Sequence, residues 1–289
     1  MKPEWLRTEL PDKKEFFWLR KRLRNAKLHT ICEDARCPNI GYCFSQKTAT
    51  FLILGDICTR NCSFCAVKKG KPREKPTTKE IVEITKLVKE LALEYVVITS
   101  VTRDDLEDGG ASQYRDLTNY LRKEIKNVMI EILIPDFQNK KESLEIILEA
   151  PPEILNHNIE TVKRLYNEIK RPESFYDRSL NVLKYYYEKG LITKSGIMVG
   201  LGESLDEIKK TMEDLLNIGV KILTIGQYLQ PTKKNHPVIK YYHPDEFEEF
   251  KEIGEKMGFL EVVSGPFVRS SYKAKESYFK VKNVISNIQ

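Results

Sequence analysis

Continuously apolar, β-branched runs alternate along the chain with stretches in which apolar residues recur every three or four positions. The runs are TATFLILGDIC (48–58), YVVITSV (95–101), VMIEILI (128–134), EILNHNI (153–159), KSGIMVGL (194–201) and KILTIGQYL (221–229). Runs without a polar alternate are expected of parallel strands covered on both faces. Helices are predicted between them, near 78–93, 111–126, 140–150, 159–169, 174–189 and 204–218. Thr77 with Glu80 three residues on reads as a capping box for the first, and Gly219 as the stop of the last. Six strand–helix repeats predict an α/β fold, a partial (β/α)6 TIM-like barrel. The Lys-Pro-rich KKGKPREKPTT (68–78) reads as a loop within it.

Composition narrows the class. A hydrophobic share of 41% suffices for a sizeable core and excludes a disordered chain. No apolar run approaches membrane-spanning length, so no membrane is expected. The start, MKPEWLRTELPDKKEFF, is too charged for a signal peptide, which points to a cytoplasmic protein with reduced thiols. The net charge of +6 is mild, and much of it falls in LRKRLRNAKLH (19–29). With Phe16, Phe17, Leu19 and Leu23, this segment reads as a basic amphipathic helix. Its cationic side is either a solvated face or a docking face for an acidic partner. Nucleic acid is not expected, because no aromatic-plus-basic recognition motif accompanies the charge.

All six cysteines lie in CEDARCPNIGYC (32–43) and CTRNCSFC (58–65). Disulfides suit a small secreted domain, so these two trios read as metal or cluster ligands. In a βα barrel, function belongs at the carboxyl ends of the strands. CTRNCSFC begins where the first apolar run ends, which puts Cys58, Cys62 and Cys65 at that mouth. A closed zinc site takes four ligands, whereas CxxxCxxC offers three thiolates, enough for three irons of a [4Fe–4S] cube with the fourth iron open. The first trio, Cys32, Cys37 and Cys43, fits either a zinc knuckle completed by His29 or a second cube. The fourth donor of such a cube would be His, Ser, Asp or an exogenous group.

CxxxCxxC at the end of strand 1, with Phe64 before its last cysteine, resembles the radical S-adenosylmethionine (SAM) superfamily. With CEDARCPNIGYC ahead of it and RSSY (269–272) near the end, the chain resembles the lipoyl synthase family. KPEWLR (2–7), TSVTRDDLEDGGA (99–111), LNHNIETVKRLY (155–166), KSGIMVGLGES (194–204), IGQYLQPT (225–232) and GPFVRSSYKA (265–274) agree, so the resemblance runs from residue 2 to about 275. Biotin synthase-like or methylthiotransferase-like proteins would share CxxxCxxC but lack the other two motifs.

The resemblance implies a sulfurtransferase that inserts two sulfurs, at C6 and C8, into an octanoyl chain held on a lysine of a lipoyl carrier protein. Two SAM molecules are cleaved to radicals that remove the two hydrogens, and an auxiliary [4Fe–4S] cluster donates the sulfur. Cys58, Cys62 and Cys65 then hold the SAM-binding [4Fe–4S] cluster. Cys32, Cys37, Cys43 and Ser271 hold the auxiliary one. No catalytic residues are expected beyond these ligands. SAM contacts are implied at Thr99 and Ser100, Asn158 and Glu160, Ile197, Val199 and Gly200, and Gln227 and Tyr228, with Arg171 for the carboxylate. The implied partners are an octanoylated lipoyl domain of a 2-oxoacid dehydrogenase or the glycine-cleavage H protein, an electron donor (ferredoxin or flavodoxin), and an iron–sulfur carrier. The expected layout is an N-terminal extension over 1–47, the barrel over 48–260 and a C-terminal extension over 261–289, the extensions covering the mouth. Two positions depart from the family pattern: Thr102 stands where Asp is expected, and Asn235 where His is expected.

Overall fold

The computed structural model describes residues 2–7 and 13–288. Its chain falls into two units. The N-terminal unit comprises Thr8–Asn61 and Cys65–Pro152, and the C-terminal unit Met1–Arg7, Cys62–Phe64 and Glu153–Gln289.

The N-terminal unit opens with α1 (Lys13–Asn25), β1 (His29–Thr30), α2 (Ile31–Asp34) and α3 (Ile40–Ser45). Leu19 and Leu23 of α1 are fully buried, each worth ~1.5–3 kcal/mol of transfer free energy. The Thr30 hydroxyl accepts from the Glu33 N–H and caps α2. β2 (Thr50–Ile53) pairs antiparallel with β1, and a small parallel ladder joins β3 (Ile57–Cys58) to β4 (Lys68–Lys69). Then come α4 (Thr78–Glu90), β5 (Tyr95–Ser100), α5 (Ala111–Glu124), β6 (Met129–Leu133) and α6 (Lys141–Leu148). β2, β5 and β6 run parallel, with Thr50 opposite Val97 and Tyr95 opposite Met129.

The C-terminal unit continues the alternation. Its elements are β7 (Ile154–Asn156), α7 (Ser174–Glu188), β8 (Thr193–Val199), α8 (Leu205–Asn217), β9 (Ile222–Gln227), α9 (Pro244–Met257), β10 (Glu261–Gly265) and α10 (Ala274–Ile288). All four strands are parallel, and β10 pairs with β9 along its whole length. Tyr166, Tyr176, Met212 and Phe247 fill the core against them. Parallel strands alternating with helices give the expected α/β, TIM-like class. Among the described residues, no helix is long and apolar enough to cross a membrane.

The structure corrects several elements of the sequence reading. The run 48–58 is not one strand: Leu54 and Gly55 take positive φ of 70° and 87°, which ends β2 at Ile53. Thr77 makes no side-chain cap, because Glu80 turns away to accept from the Leu54 N–H and the Gln113 amide. Residues 159–169 hold only a short 3-10 turn, Lys163–Leu165, instead of an α-helix. Glu160, at φ 71°, spends its backbone on β8: its N–H donates to the Gly196 carbonyl and its carbonyl accepts from Met198. β10, α9 and α10 were not anticipated. The signals for α9 were nonetheless present, since His243 and Glu246 form a capping box, Pro244 leads the helix, and Gly258 closes it.

The segment after β10 lies against β9, where Gly226 leaves room for it. A Cβ at Gly226 would collide with the Val268 carbonyl oxygen, a backbone atom that cannot swing aside. Gly226→Ala is therefore expected to destabilise the protein by ~1–3 kcal/mol, read as a lowered thermal midpoint. An unchanged midpoint would show that the 265–272 segment is not packed on β9.

Candidate functional site

The second cysteine trio sits on a loop closed at its neck by the β3–β4 ladder, with Cys58 opposite Lys69. Within the N-terminal unit, the stretch between Cys58 and Cys62 is strongly anchored. The Thr59 N–H and hydroxyl both donate to the Thr102 carbonyl, at 3.0 and 3.1 Å. The Arg60 guanidinium grips Asp104 (2.8 and 2.9 Å) and the fully buried Asp136 (2.6 and 2.7 Å). These carboxylates raise the Arg60 pKa against the opposing effect of burial, and Arg60 in turn holds Asp104 below the usual carboxylate range despite burial. The Arg60 N–H points at the Cys58 sulfur, 3.4 Å away. Hydrogen bonds to sulfur are among the levers that tune a cluster's potential.

Within the C-terminal unit, Ser63 is pinned on both its backbone groups. Its N–H donates to the Ile169 carbonyl, and its own carbonyl accepts from the His236 N–H at 3.0 Å and the Asn235 amide at 2.9 Å. Phe64 packs against the apolar core of that unit, which includes Ile159 and Tyr228. The two departures from the family pattern become intelligible. Position 102 serves the loop through its carbonyl, which any residue supplies, and Asn235 serves through a side-chain donor.

The first trio lies on one short stretch of the N-terminal unit. Cys32 lies in α2, Cys43 in α3, and Cys37 between them, its N–H bonded to the Cys32 carbonyl at 3.0 Å. Burial pushes the Cys32 thiol up to about 12, with the charges of Cys37 and Cys43 adding to the effect. Burial likewise pushes Cys43 up to about 11, again with Cys37 adding. All six cysteines are thiols. Thiol sulfur is a soft donor, and three thiols on one short stretch are the kind of set an iron cluster takes. His29, the alternative fourth ligand of a zinc knuckle, turns instead to Asp34 and Asp56, and Asp34 raises its pKa.

The residues expected to meet SAM fall in both units. In the N-terminal unit, Thr99 and Ser100 end β5, and the Thr99 hydroxyl donates to the Leu133 carbonyl. In the C-terminal unit, Glu160 lies 3.8 Å from Arg171, which is buried beside the Tyr166 and Phe175 rings. Burial pushes Glu160 up to about 7, opposed by the Arg171 charge. The Arg171 Nε is buried with no hydrogen-bond partner, an orphan donor suited to an incoming anion. Asn158 accepts from the Ser270 hydroxyl at 2.8 Å. Ile197, Val199 and Tyr228 belong to the apolar core, and Gly200 turns at φ 104° against Gln227. Gln227 is fully buried, its amide donating to the carbonyls of Val199, Tyr228 and Lys240 and accepting from the Tyr242 N–H. His157 is a satisfied buried imidazole, 2.9 Å from the Ser179 hydroxyl.

RSSY forms the turn before α10, with the Tyr272 N–H on the Arg269 carbonyl. Ser270 reaches Asn158, and Ser271 is half-buried beside it in sequence. Sequence reasoning missed that Arg60, Asp136 and the Asn235 side chain anchor the cysteine loop, although it marked position 235 as a departure. Arg60 did lie inside the cysteine motif, which was the one available hint.

The sequence matches the radical SAM superfamily over residues 52–215, and the N-terminal domain of lipoyl synthase of the radical SAM family over residues 1–37. A lipoyl synthase of Caldicellulosiruptor bescii is 50% identical over 290 residues, covering 100% of this chain and 98% of that one. A lipoyl synthase of Aquifex aeolicus is 51% identical over 265 residues, covering 91% and 95%. Among solved structures, the FeFe-hydrogenase maturase HydG from Carboxydothermus hydrogenoformans superposes with a TM-score of 0.60 at 15% identity, over 93% of this chain and 69% of that one. Streptococcus suis SuiB bound to S-adenosylmethionine gives 0.57 at 15%, over 76% and 50%. At such low identity these two likenesses speak for the fold alone. The chain belongs to the lipoyl synthase family of the radical SAM superfamily.

Proposed function

We propose that this protein is a lipoyl synthase that inserts two sulfur atoms at C6 and C8 of an octanoyl chain carried on a lysine of a lipoyl carrier protein. Its family makes it a radical SAM enzyme that uses SAM and a [4Fe–4S] cluster. The observation that carries the finer reading is the first trio: three further thiols, Cys32, Cys37 and Cys43, on and between α2 and α3 of a chain that already holds CxxxCxxC. A radical SAM enzyme that only cleaves SAM has no need of them. In this reading the two clusters supply one-electron reduction of SAM and the sulfur itself.

The chain's own residues bind and orient. Cys58, Cys62 and Cys65 hold the SAM-binding cluster, with Arg60 and Ser63 fixing their loop. Arg171 and Glu160 are suited to the carboxylate and ammonium ends of an amino acid, since a guanidinium pairs well with planar anions. Asn158, Thr99 and Ser100 are the remaining polar candidates for SAM, and Ile197, Val199, Gly200, Gln227 and Tyr228 frame the strand ends around it. Ser271 is the proposed fourth ligand of the auxiliary cluster. Its neighbour's hydroxyl is already committed to Asn158, which supports Ser271 as the hydroxyl available for iron. Serine oxygen is a harder donor than thiolate and releases iron more readily, as a sacrificial sulfur source requires. The carrier is an octanoylated lipoyl domain or H protein, electrons come from a ferredoxin or flavodoxin, an iron–sulfur carrier rebuilds the auxiliary cluster, and the setting is cytoplasmic.

Anaerobic turnover with SAM, a reductant and an octanoylated lipoyl domain is expected to give 5′-deoxyadenosine and a carrier heavier by two sulfurs. SAM cleavage without sulfur gain would leave the superfamily intact and refute the substrate. Cys62→Ala is expected to abolish 5′-deoxyadenosine formation and leave about half the iron. Cys37→Ala is expected to keep SAM cleavage but lose sulfur insertion. Equal loss of SAM cleavage in both folded variants would contradict this division of labour. Ser271→Cys is expected to retain both clusters and SAM cleavage but insert sulfur poorly, because a softer donor grips the iron. Wild-type lipoyl yield from that variant would remove Ser271 from the ligand set.

A further inference from the structure

We infer that the outward face of α1 is a docking surface for an acidic protein, the octanoyl carrier. The inference rests on the functional reading above and adds to it the surface by which the carrier is held. Positions 14, 17, 18, 21 and 24 recur three or four apart and share one side of the helix. They are Lys14, Phe17, Trp18, Lys21 and Arg24, and all are exposed, Phe17 to 58%. The opposite side, Leu19 and Leu23, is fully buried. The flanking arginines are consumed within the unit: Arg20 pairs with Glu33 at 3.0 Å, and Arg22 with Glu90. The helix's one described acid, Glu15, lies 3.3 Å from Lys47. Among the described residues, this stripe carries cations around two aromatic rings and no carboxylate, with the Lys47 ammonium 5.5 Å from the centre of the Trp18 ring.

That chemistry selects the partner. Exposed aromatic and arginine side chains in a cationic rim are what a protein interface uses, the rings supplying the buried centre and the charges steering encounter with an acidic face. A membrane surface fits poorly, because an interfacial helix needs a broad free apolar face, and here that face is buried in the unit's core. A second copy of the same cationic stripe would repel the first.

The test uses the full-length reconstituted protein, the octanoylated carrier domain, and a short octanoyl-lysyl peptide too small to reach α1. Lys21→Glu with Arg24→Glu is expected to raise the KM for the carrier about tenfold or more and to flatten its salt dependence. Phe17→Ala is expected to raise it about tenfold with the salt dependence kept. Both variants are expected to turn over the peptide as the wild type does. Unchanged carrier KM in both variants overturns the proposal, and so does an equal loss on carrier and peptide. Wild-type binding to a single-stranded RNA or to phosphatidylserine vesicles as tight as to the carrier overturns it as well. Direct carrier binding, measured by calorimetry, reads the surface even if neither substrate is converted, and in that case the functional reading alone fails.

Discussion

The Arg60 guanidinium, held between Asp104 and the fully buried Asp136, fixes the stretch between two of the cysteines that define this family. A buried carboxylate left unpaired is strongly unfavourable, so Asp136 requires a cation, and the cysteine loop supplies it. The pairing works in both directions. The loop satisfies the charge inside the N-terminal unit, and the charge prevents the loop from drifting. Because Asp104 is held below its ordinary pKa, its share of this stability is present at neutral pH. It is lost as pH falls through the depressed folded value. Ser63 is restrained separately, through three backbone-directed hydrogen bonds within the C-terminal unit. Arg60 and Ser63 thus each restrain their own part of the cysteine loop, each within its own unit.

The two trios are prepared differently. Cys32 and Cys43 sit where burial and neighbouring thiols favour the protonated form, whereas Cys58 lies on a half-exposed ladder beside a backbone N–H. Taking up the proposed auxiliary cluster would therefore expel the protons of the first trio.

Much of the layout was legible in the sequence because its signals are local. Parallel strands covered on both faces have to be apolar throughout, so β5, β6, β8 and β9 stood out, and the thiol spacing marked the candidate ligands. What escaped depended on distant partners. Arg60 and Asp136 are 76 residues apart, and Asn235 and Ser63 are 172 apart, and neither pair leaves a spacing rule. The false helix at 159–169 has the same origin. Its apolar residues, Ile159, Val162, Leu165, Tyr166 and Ile169, recur at helical spacing and are all buried. The backbone of Glu160 nevertheless bonds to β8 instead of to its own next turn, so tertiary pairing overrode a valid local pattern.

The small residues on β8 and β9 connect stability with the proposed chemistry. A Cβ at Gly196 would press on Thr224, Asn158 and Ser270 together, and one at Gly226 on Val268 and Arg269. Glycine weakens a strand by its entropy and its missing side chain, so one in each of two neighbouring strands needs a reason. Here the reason is the close approach of the RSSY turn, whose Ser270 then reaches Asn158 just past β7. Asn158 is one of the polar groups proposed for SAM. Within the C-terminal unit, one hydrogen bond therefore joins the motif proposed to complete the auxiliary cluster to the strand end proposed to hold the cofactor. Substrate-side and cofactor-side chemistry share a support that neither sequence motif reveals by itself.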